Sequence, residues 1–174
     1  PIKKTKIIFE KIKKKGKKYN LTYSGMHALD ILRLEKKFLH WGHDITSENN
    51  PFESGLTFAV SFKKKENFIG REALEKIKDK PLTNKLELFS LKNRFKPGKP
   101  LLLHDEPIFK GNEIIGYTTS SNFSFCYNKN ICLAYVKSET KDSGDLFIEV
   151  EGKRYSLHLE TNPLHDPKSK IMRS

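Results

Sequence analysis

The chain has 174 residues, of which 36% are hydrophobic, 11% aromatic and 31% charged. The length predicts one domain, or one and a half, and the composition excludes a collagen-like or disordered chain. No segment approaches the ~20 consecutive apolar residues of a membrane helix, and two cysteines exclude a disulfide-dense secreted scaffold. We therefore expect a cytoplasmic protein that does not bind a membrane.

The net charge of +12 is concentrated at the N-terminus. The first 18 residues contain nine lysines and one glutamate, which is eight of the twelve net positive charges. This run, Lys3 to Lys18, is compatible with nucleic-acid binding, but it is also typical of the solvated face of an amphipathic helix. We favour the helix, because no arginine-rich or aromatic-interleaved stretch follows that would read bases. Nucleic acid is therefore not expected as a partner.

The first third of the chain has helical patterning. Residues 5–16 predict a helix with Ile8, Phe9 and Ile12 on one side, and Gly16 is placed to end it. Residues 26–37 predict a second helix after Gly25. Its expected buried side consists of Ala28, Leu29, Leu32 and Phe38. Residues 39–45 predict a turn with anchored aromatic side chains.

Residues 56–62 alternate and predict a strand, and residues 70–78 predict a short helix. A break follows at residues 79–84. The isolated strand has no partner sheet nearby in sequence, so residues 1–80 are expected to be an incomplete α/β unit.

Beyond the break, short strands and turns dominate. Strands are predicted at residues 85–91, 108–109, 114–115, 131–136, 145–150 and 154–159, with a hairpin turn at Gly111-Asn112. Closely spaced short strands favour a small antiparallel barrel or sandwich. The predicted fold is therefore α+β, with an α/β part over 1–82 and a β-barrel over 83–174. The tail from residue 163 is expected to lie along the surface.

Residues that could carry chemistry form no strong pattern. His40, His43 and Asp44 resemble no established zinc spacing. Cys126 and Cys132 are expected to face the barrel interior as small apolar side chains. Ser120, Ser121 and Ser124 lack the glycine-flanked turn of a hydrolase. From the residues alone, no catalytic and no metal-binding residue is predicted.

Several segments together resemble the glycine cleavage T-protein (aminomethyltransferase) family. Residues 25–36, which contain the stretch Leu32-Arg33-Leu34-Glu35, resemble its "LRLE" helix, and residues 40–45 (HWGHDI) resemble the turn that follows it. Residues 50–56 (NPFESGL after Asn49), 68–74 (FIGREAL), 115–120 and 133–136 match further stretches in the same order. These stretches are most similar to the C-terminal, folate-binding region of dimethylglycine and sarcosine dehydrogenases.

The resemblance implies binding of tetrahydrofolate and transfer of a one-carbon unit from an aminomethyl or iminium donor. It implies FAD only where an oxidase domain precedes, and the partners would be a flavin domain or the family's N-terminal half. The family's catalytic Asp has no counterpart here. Arg33 occupies the folate-contacting arginine, although an ion pair with Glu35, Asp30 or Asp44 is the alternative. Trp41 is expected either to stack on folate or to lie in the core, and Lys63 to add positive charge near the folate tail.

Overall fold

The computed structural model describes residues 2–142 and 145–174. Within them, helices come first and strands follow. The helices are α1 (Thr5–Gly16), α2 (Met26–Glu35) and α3 (Arg71–Ile77). Short 3₁₀ turns lie at Ile2–Lys4, Lys17–Tyr19, Thr57–Ala59, Ser138–Asp142 and Ile171–Arg173. None of the helices in this part of the chain combines the length and apolar character needed to cross a bilayer.

The strands are β1 (Asn84–Leu91), β2 (Pro107–Lys110), β3 (Glu113–Ser124), β4 (Lys129–Lys137), β5 (Leu146–Val150) and β6 (Lys153–Glu160). They form a closed antiparallel barrel in the order β1-β4-β3-β2-β5-β6, with β6 paired back to β1. The prediction of a small antiparallel barrel after a helix-rich part is confirmed. Closure satisfies the hydrogen-bonding groups that an open sheet leaves at its edges.

Strand β4 is buried on both faces, and this position links the barrel to the helices. Cys132, Ala134 and Val136 point into the barrel core, while Ile131, Leu133 and Tyr135 point outward. The outward side chains pack with Leu34 of α2 and with Leu86 and Leu88 of β1. A strand covered on both faces needs apolar residues at every position, which explains the uninterrupted apolar run of residues 131–136.

The segment between α2 and β1 is hydrogen-bonded to the same outer face of the barrel, formed by β1 and β4. Asn50 caps a turn by accepting hydrogen bonds from the backbone N–H groups of Phe52 and Glu53, each at 3.0 Å. Ser54 lies 3.1 Å from the Tyr135 hydroxyl, and the Leu86 N–H donates to the Glu53 carbonyl at 2.9 Å. The tail also docks here as expected, with the His165 N–H donating to the Glu35 carbonyl at 3.0 Å.

The strand predicted over residues 56–62 is wrong. The segment contains the 3₁₀ turn Thr57–Ala59, closed by hydrogen bonds from Ala59 to Leu56 and from Val60 to Thr57. Phe58 is 86% exposed. No described strand runs beside this segment, so its backbone groups pair locally instead of in a sheet.

The predicted buried side of α2 is also wrong. Ala28, Leu29, Leu32 and Phe38 are exposed, and the residues that α2 buries are Leu34 and Glu35. The first helix has the predicted bounds, Thr5–Gly16, but Gly16 does not have the left-handed conformation of a terminating glycine; a 3₁₀ turn at Lys17–Tyr19 follows, and the left-handed residue is Asn20. Glycine is needed at position 16 because a Cβ there would lie 2.4 Å from a Leu21 methyl carbon.

Candidate functional site

The last turn of α2 places Arg33 against the barrel. One terminal nitrogen, Nη1, pairs with the Asp44 carboxylate, and the other, Nη2, donates to the Ser120 hydroxyl at 2.6 Å. Nε is buried and has no hydrogen-bond partner among the described residues; the Asp30 carboxylate lies 3.7 Å away. A guanidinium has five N–H donors, so three of them have no hydrogen bond to the residues that the structure describes.

Asp44 fixes the position of the Arg33 side chain. Its carboxylate is buried and accepts further hydrogen bonds from the His40 backbone N–H at 2.8 Å and from the Thr119 hydroxyl at 2.6 Å. The turn at residues 40–45 positions it, with Gly42 at a φ of 89° that favours glycine. A buried carboxylate with three donors is fixed in place, so it also fixes the plane of the Arg33 guanidinium.

Glu35, two residues after Arg33, also makes a hydrogen bond to the barrel. The buried Ser124 hydroxyl donates to its carboxylate at 2.6 Å. Burial raises the pKa of the nearby Tyr127 phenol, and the charges of Glu35 and Cys126 add to the increase. Strand β3 therefore contributes three hydroxyl groups to the helix side: Thr119, Ser120 and Ser124.

The role of these hydroxyl groups is not predicted from the sequence, in which Ser120 and Ser124 are considered only as nucleophiles. The sequence does contain a signal for this role, which is the run Thr118-Thr119-Ser120-Ser121. This hydroxyl-rich run lies within the long strand β3, which pairs with the apolar strand β4. Buried hydroxyls in a strand need partners, and Arg33 and Glu35 of α2 and Asp44 of the following turn supply them.

A cleft of about 380 Å³ lies beside Arg33. Its walls come from α2, the turn at residues 40–43, the loop at residues 97–104 and strand β3. Arg33 and histidines supply polar groups, while Leu101, Leu103 and Phe125 supply apolar area. An apolar cleft of this size with a few convergent polar groups is typical of a small-molecule site.

The structure brings one of the three predicted folate contacts to this cleft. Arg33 lines it, whereas Trp41 and Lys63 do not. Trp41 is 67% exposed and lies in the turn beside Ile45. Lys63 lies in an exposed loop, and Arg71 donates to the carbonyls on either side of it, those of Phe62 and Lys64.

The cysteine prediction holds for one residue of the pair. Cys132 is buried in the barrel, and burial raises the pKa of its thiol to about 12. Cys126 is exposed, because it lies in the turn between β3 and β4 instead of on a strand. Within the described ranges, no group of three or more His, Cys, Asp or Glu residues could hold a metal ion.

Comparison with known proteins matches each half of the chain to a domain of one protein family. Residues 1–64 match the GCVT N-terminal domain, and residues 87–166 match the glycine cleavage T-protein C-terminal barrel domain. The chain is 31% identical over 158 residues to the mitochondrial dimethylglycine dehydrogenase of Rattus norvegicus, a match that covers 90% of this chain and 18% of that protein.

Two further relatives are named as aminomethyltransferases. An aminomethyltransferase of Symbiobacterium thermophilum is 39% identical over 129 residues, covering 74% of this chain and 33% of that protein. The crystal structure of the glycine cleavage system aminomethyltransferase T from Bartonella henselae matches with a TM-score of 0.80 and 25% identity, over 96% of this chain and 45% of that chain. The chain therefore spans less than half the length of each of these relatives.

Proposed function

Because this chain belongs to the glycine cleavage T-protein family, we propose that it forms part of a tetrahydrofolate-binding site in a protein that transfers one-carbon units. In this proposal, residues 1–82 belong to the folate-binding domain and residues 83–174 form the C-terminal barrel. The chain is proposed to be part of an enzyme similar to dimethylglycine or sarcosine dehydrogenase, and the cytoplasm is its proposed location.

The observation that carries the proposal is the state of Arg33. Its guanidinium is held by Asp44 and Ser120, lines the cleft and retains N–H groups that bond to none of the described residues. Folate ends in a glutamate carboxylate, and a guanidinium binds carboxylates through paired, charge-assisted hydrogen bonds. The ion pair with Asp44 and a folate contact are therefore compatible, because the pair orients the side chain without using all its donors.

Trp41 and Lys63 have supporting roles in the proposal. The exposed Trp41 ring is free to stack on an aromatic ring of the ligand, and Lys63 adds positive charge to the surface. The proposed partners are tetrahydrofolate and a polypeptide segment that supplies the family's N-terminal half, with a flavin domain and FAD where an oxidase is present.

We expect no one-carbon transfer by the 174-residue chain alone, because the resemblance implies that the family's catalytic Asp has no counterpart among these residues. General acid–base help from such a group is worth roughly 10²–10⁴-fold in rate. The assay is formation of methylenetetrahydrofolate from an aminomethyl donor. Turnover above the uncatalysed rate by this chain would contradict the assignment of catalysis to residues outside it.

The proposed site is tested by adding tetrahydrofolate, kept under nitrogen, to the ¹⁵N-labelled chain and following backbone amide signals. We expect weak binding, with shifts confined to α2, the turn at residues 40–44 and the loop at residues 97–104. Pteroic acid, which lacks the glutamate, is the matched ligand control and is expected to leave the Arg33 side-chain signal unchanged. Shifts confined to α1, or none at millimolar ligand, would refute the proposal.

A further inference from the structure

Helix α2 is attached to the rest of the described structure mainly through its C-terminal end. Its first four residues, 26–29, are exposed, and the residues that it buries are Leu34 and Glu35. Arg33 lies in the same last turn. The position of its guanidinium in the cleft therefore depends on how firmly this end of the helix is held.

The tail, residues 163–174, completes the backbone hydrogen bonding at this end. The last four carbonyl groups of a helix have no partner inside it. Three of those in α2 accept hydrogen bonds from the N–H groups of residues 36–38, which follow directly. The fourth, the Glu35 carbonyl, accepts from the His165 N–H at 3.0 Å. The last carbonyl of α2 is therefore paired through the tail.

Lys36, the residue after the helix, places its ammonium group against the tail. Nζ lies 2.8 Å from the Asp166 carbonyl oxygen, and 3.4 Å from both the Asp166 carboxylate and the Ser169 hydroxyl. The side chains of Lys36 and Asp166 are only 10% and 5% exposed. All the hydrogen-bond acceptors that the described residues offer this ammonium group lie in the tail. A largely buried charge needs such partners, so the contact binds the tail to the end of α2.

The tail is in turn attached to the barrel. Leu164 packs on the outer cluster of β1 and β4 side chains, and the Tyr127 hydroxyl, in the turn between β3 and β4, lies 3.2 Å from His165 Nδ1. The Asp166 carboxylate also accepts from the Lys170 N–H at 2.8 Å, which closes a turn within the tail. The tail therefore connects the end of α2 to the barrel, in addition to the contacts that α2 side chains make with β3.

We propose that the tail is a strap that fixes the end of α2 on the barrel, and that Lys36, which binds the tail, is a positioning residue for Arg33. When the tail is in place, the Glu35 carbonyl and the Lys36 ammonium group hold the last turn of α2. When the tail is displaced, this turn is held by its side-chain contacts with the barrel alone, and Arg33 becomes more mobile. None of the described cleft residues lies in the tail, so the strap controls the cleft from outside it.

The test compares Lys36→Met with Lys37→Met by amide hydrogen exchange of the ¹⁵N-labelled full chain without ligand. Lys37→Met is the matched control, because Lys37 is the next residue and pairs with Glu87 of β1 at 3.1 Å instead of with the tail. We expect Lys36→Met to speed exchange at residues 34–38 and 165 about tenfold, the effect of losing a hydrogen bond from a charged group, and to shift the Arg33 Nε–H signal. The control is expected to change exchange less than about twofold, because its ion pair is more exposed.

Asp166→Asn is a milder variant that weakens the same contact from the side of the tail. Asparagine tolerates the positive φ of 40° at this position, so the tail backbone is not strained by the change. We expect the same pattern of faster exchange at about threefold, with the amides of the barrel strands unchanged. Equal effects of Lys36→Met and Lys37→Met, faster exchange spread evenly over the barrel, or an unchanged Arg33 Nε–H signal would overturn the inference. Because no ligand is added, the result is independent of whether the cleft binds tetrahydrofolate.

Discussion

Arg33 shows that two interpretations of one residue need not exclude each other. The sequence left open whether it binds folate or pairs with Glu35, Asp30 or Asp44. In the structure its hydrogen-bonded carboxylate partner is Asp44, and Asp30 lies farther away at 3.7 Å. Glu35 is instead bound by Ser124 on the other side of the helix end. Successive residues on a helix point about 100° apart, so Arg33 and Glu35, two positions apart, point about 200° apart and reach different positions along β3, at Ser120 and Ser124.

Gly116 is a second residue whose identity the structure explains. A Cβ at this position would lie 1.9 Å from the Tyr135 carbonyl oxygen of the paired strand β4. We predict that Gly116→Ala destabilises the barrel by about 2–4 kcal/mol, because the strands must separate to admit the methyl group. Urea denaturation followed by circular dichroism measures the change.

Gly25→Ala is the matched control for Gly116→Ala. Nothing lies within 4 Å of a Cβ at Gly25, and its backbone conformation suits any residue. The control is expected to cost less than about 1 kcal/mol, the usual range for replacing a helix N-cap glycine. Equal losses of stability in the two variants would show that the close approach of β3 and β4 is not what requires glycine at position 116.

At the scale of elements, the sequence predicts the features that depend on adjacent residues, such as hairpin turns. The strand pairs β2–β3 and β5–β6 are hairpins, and their turns carry glycines with positive φ at Gly111 and Gly152. Such turns can be read from a few adjacent residues. The segment at residues 56–62 has an equally good alternating pattern, but none of the described strands lies beside it, and no local signal indicates that a partner is missing.

The exposed side of α2 illustrates the same limit. Leu29 and Leu32 are 57% and 54% exposed although their spacing is that of a buried helical face. Periodicity identifies a face that is apolar, but not what covers it. The face that does pack, through Leu34 and Glu35, is determined by β3 and β4, which are distant in sequence.

Helix α1 carries the lysine run on which the alternative function, nucleic-acid binding, depends. Its lysines are exposed, and Ile8, Phe9 and Ile12 are about half-exposed beside them. Lys13 lies over the Tyr23 ring, 5.8 Å from its centroid, and Phe9 stacks on the same ring at 5.9 Å. These contacts tie part of the helix to the connector that follows. The remaining lysines form a solvated cationic face.

We predict only weak binding of nucleic acid by this face. Fluorescence titration with single-stranded and duplex oligonucleotides at low and near-physiological salt measures it. Binding that relies on exposed lysines without base contacts is expected to be independent of sequence and to disappear at about 0.15 M salt. Micromolar affinity that persists at that salt concentration would favour a nucleic-acid-binding module.

At the scale of the whole molecule, the resemblance identified in the sequence is confirmed by the matches to both T-protein domains. The barrel and the order of elements were predictable, because they follow from local pattern and from that resemblance. The junction between α2 and the barrel was not, since it depends on Thr119, Ser120 and Ser124 meeting Asp44, Arg33 and Glu35 across about 75 to 90 residues of sequence.

Because of this junction, the candidate site is formed by residues from both the helical part and the barrel. Arg33 is oriented by Asp44, and both residues are anchored by hydroxyl groups of β3. Removing one partner of a buried charge pair typically costs about 3–5 kcal/mol, so Arg33→Ala can reduce stability as well as binding. Arg33→Lys keeps the charge and removes the planar fork, and it is therefore the better probe of carboxylate recognition.

The central claim is that Arg33 contacts the glutamate end of tetrahydrofolate. The direct test compares tetrahydrofolate affinity in the unchanged chain, in Arg33→Lys and in Lys63→Ala, by titration of the ¹⁵N-labelled proteins after each variant is shown to be folded. We predict that Arg33→Lys weakens binding about tenfold, the loss of one charge-assisted hydrogen bond, and that Lys63→Ala weakens it less than twofold. Equal effects of the two substitutions would contradict the account and remove Arg33 from the site.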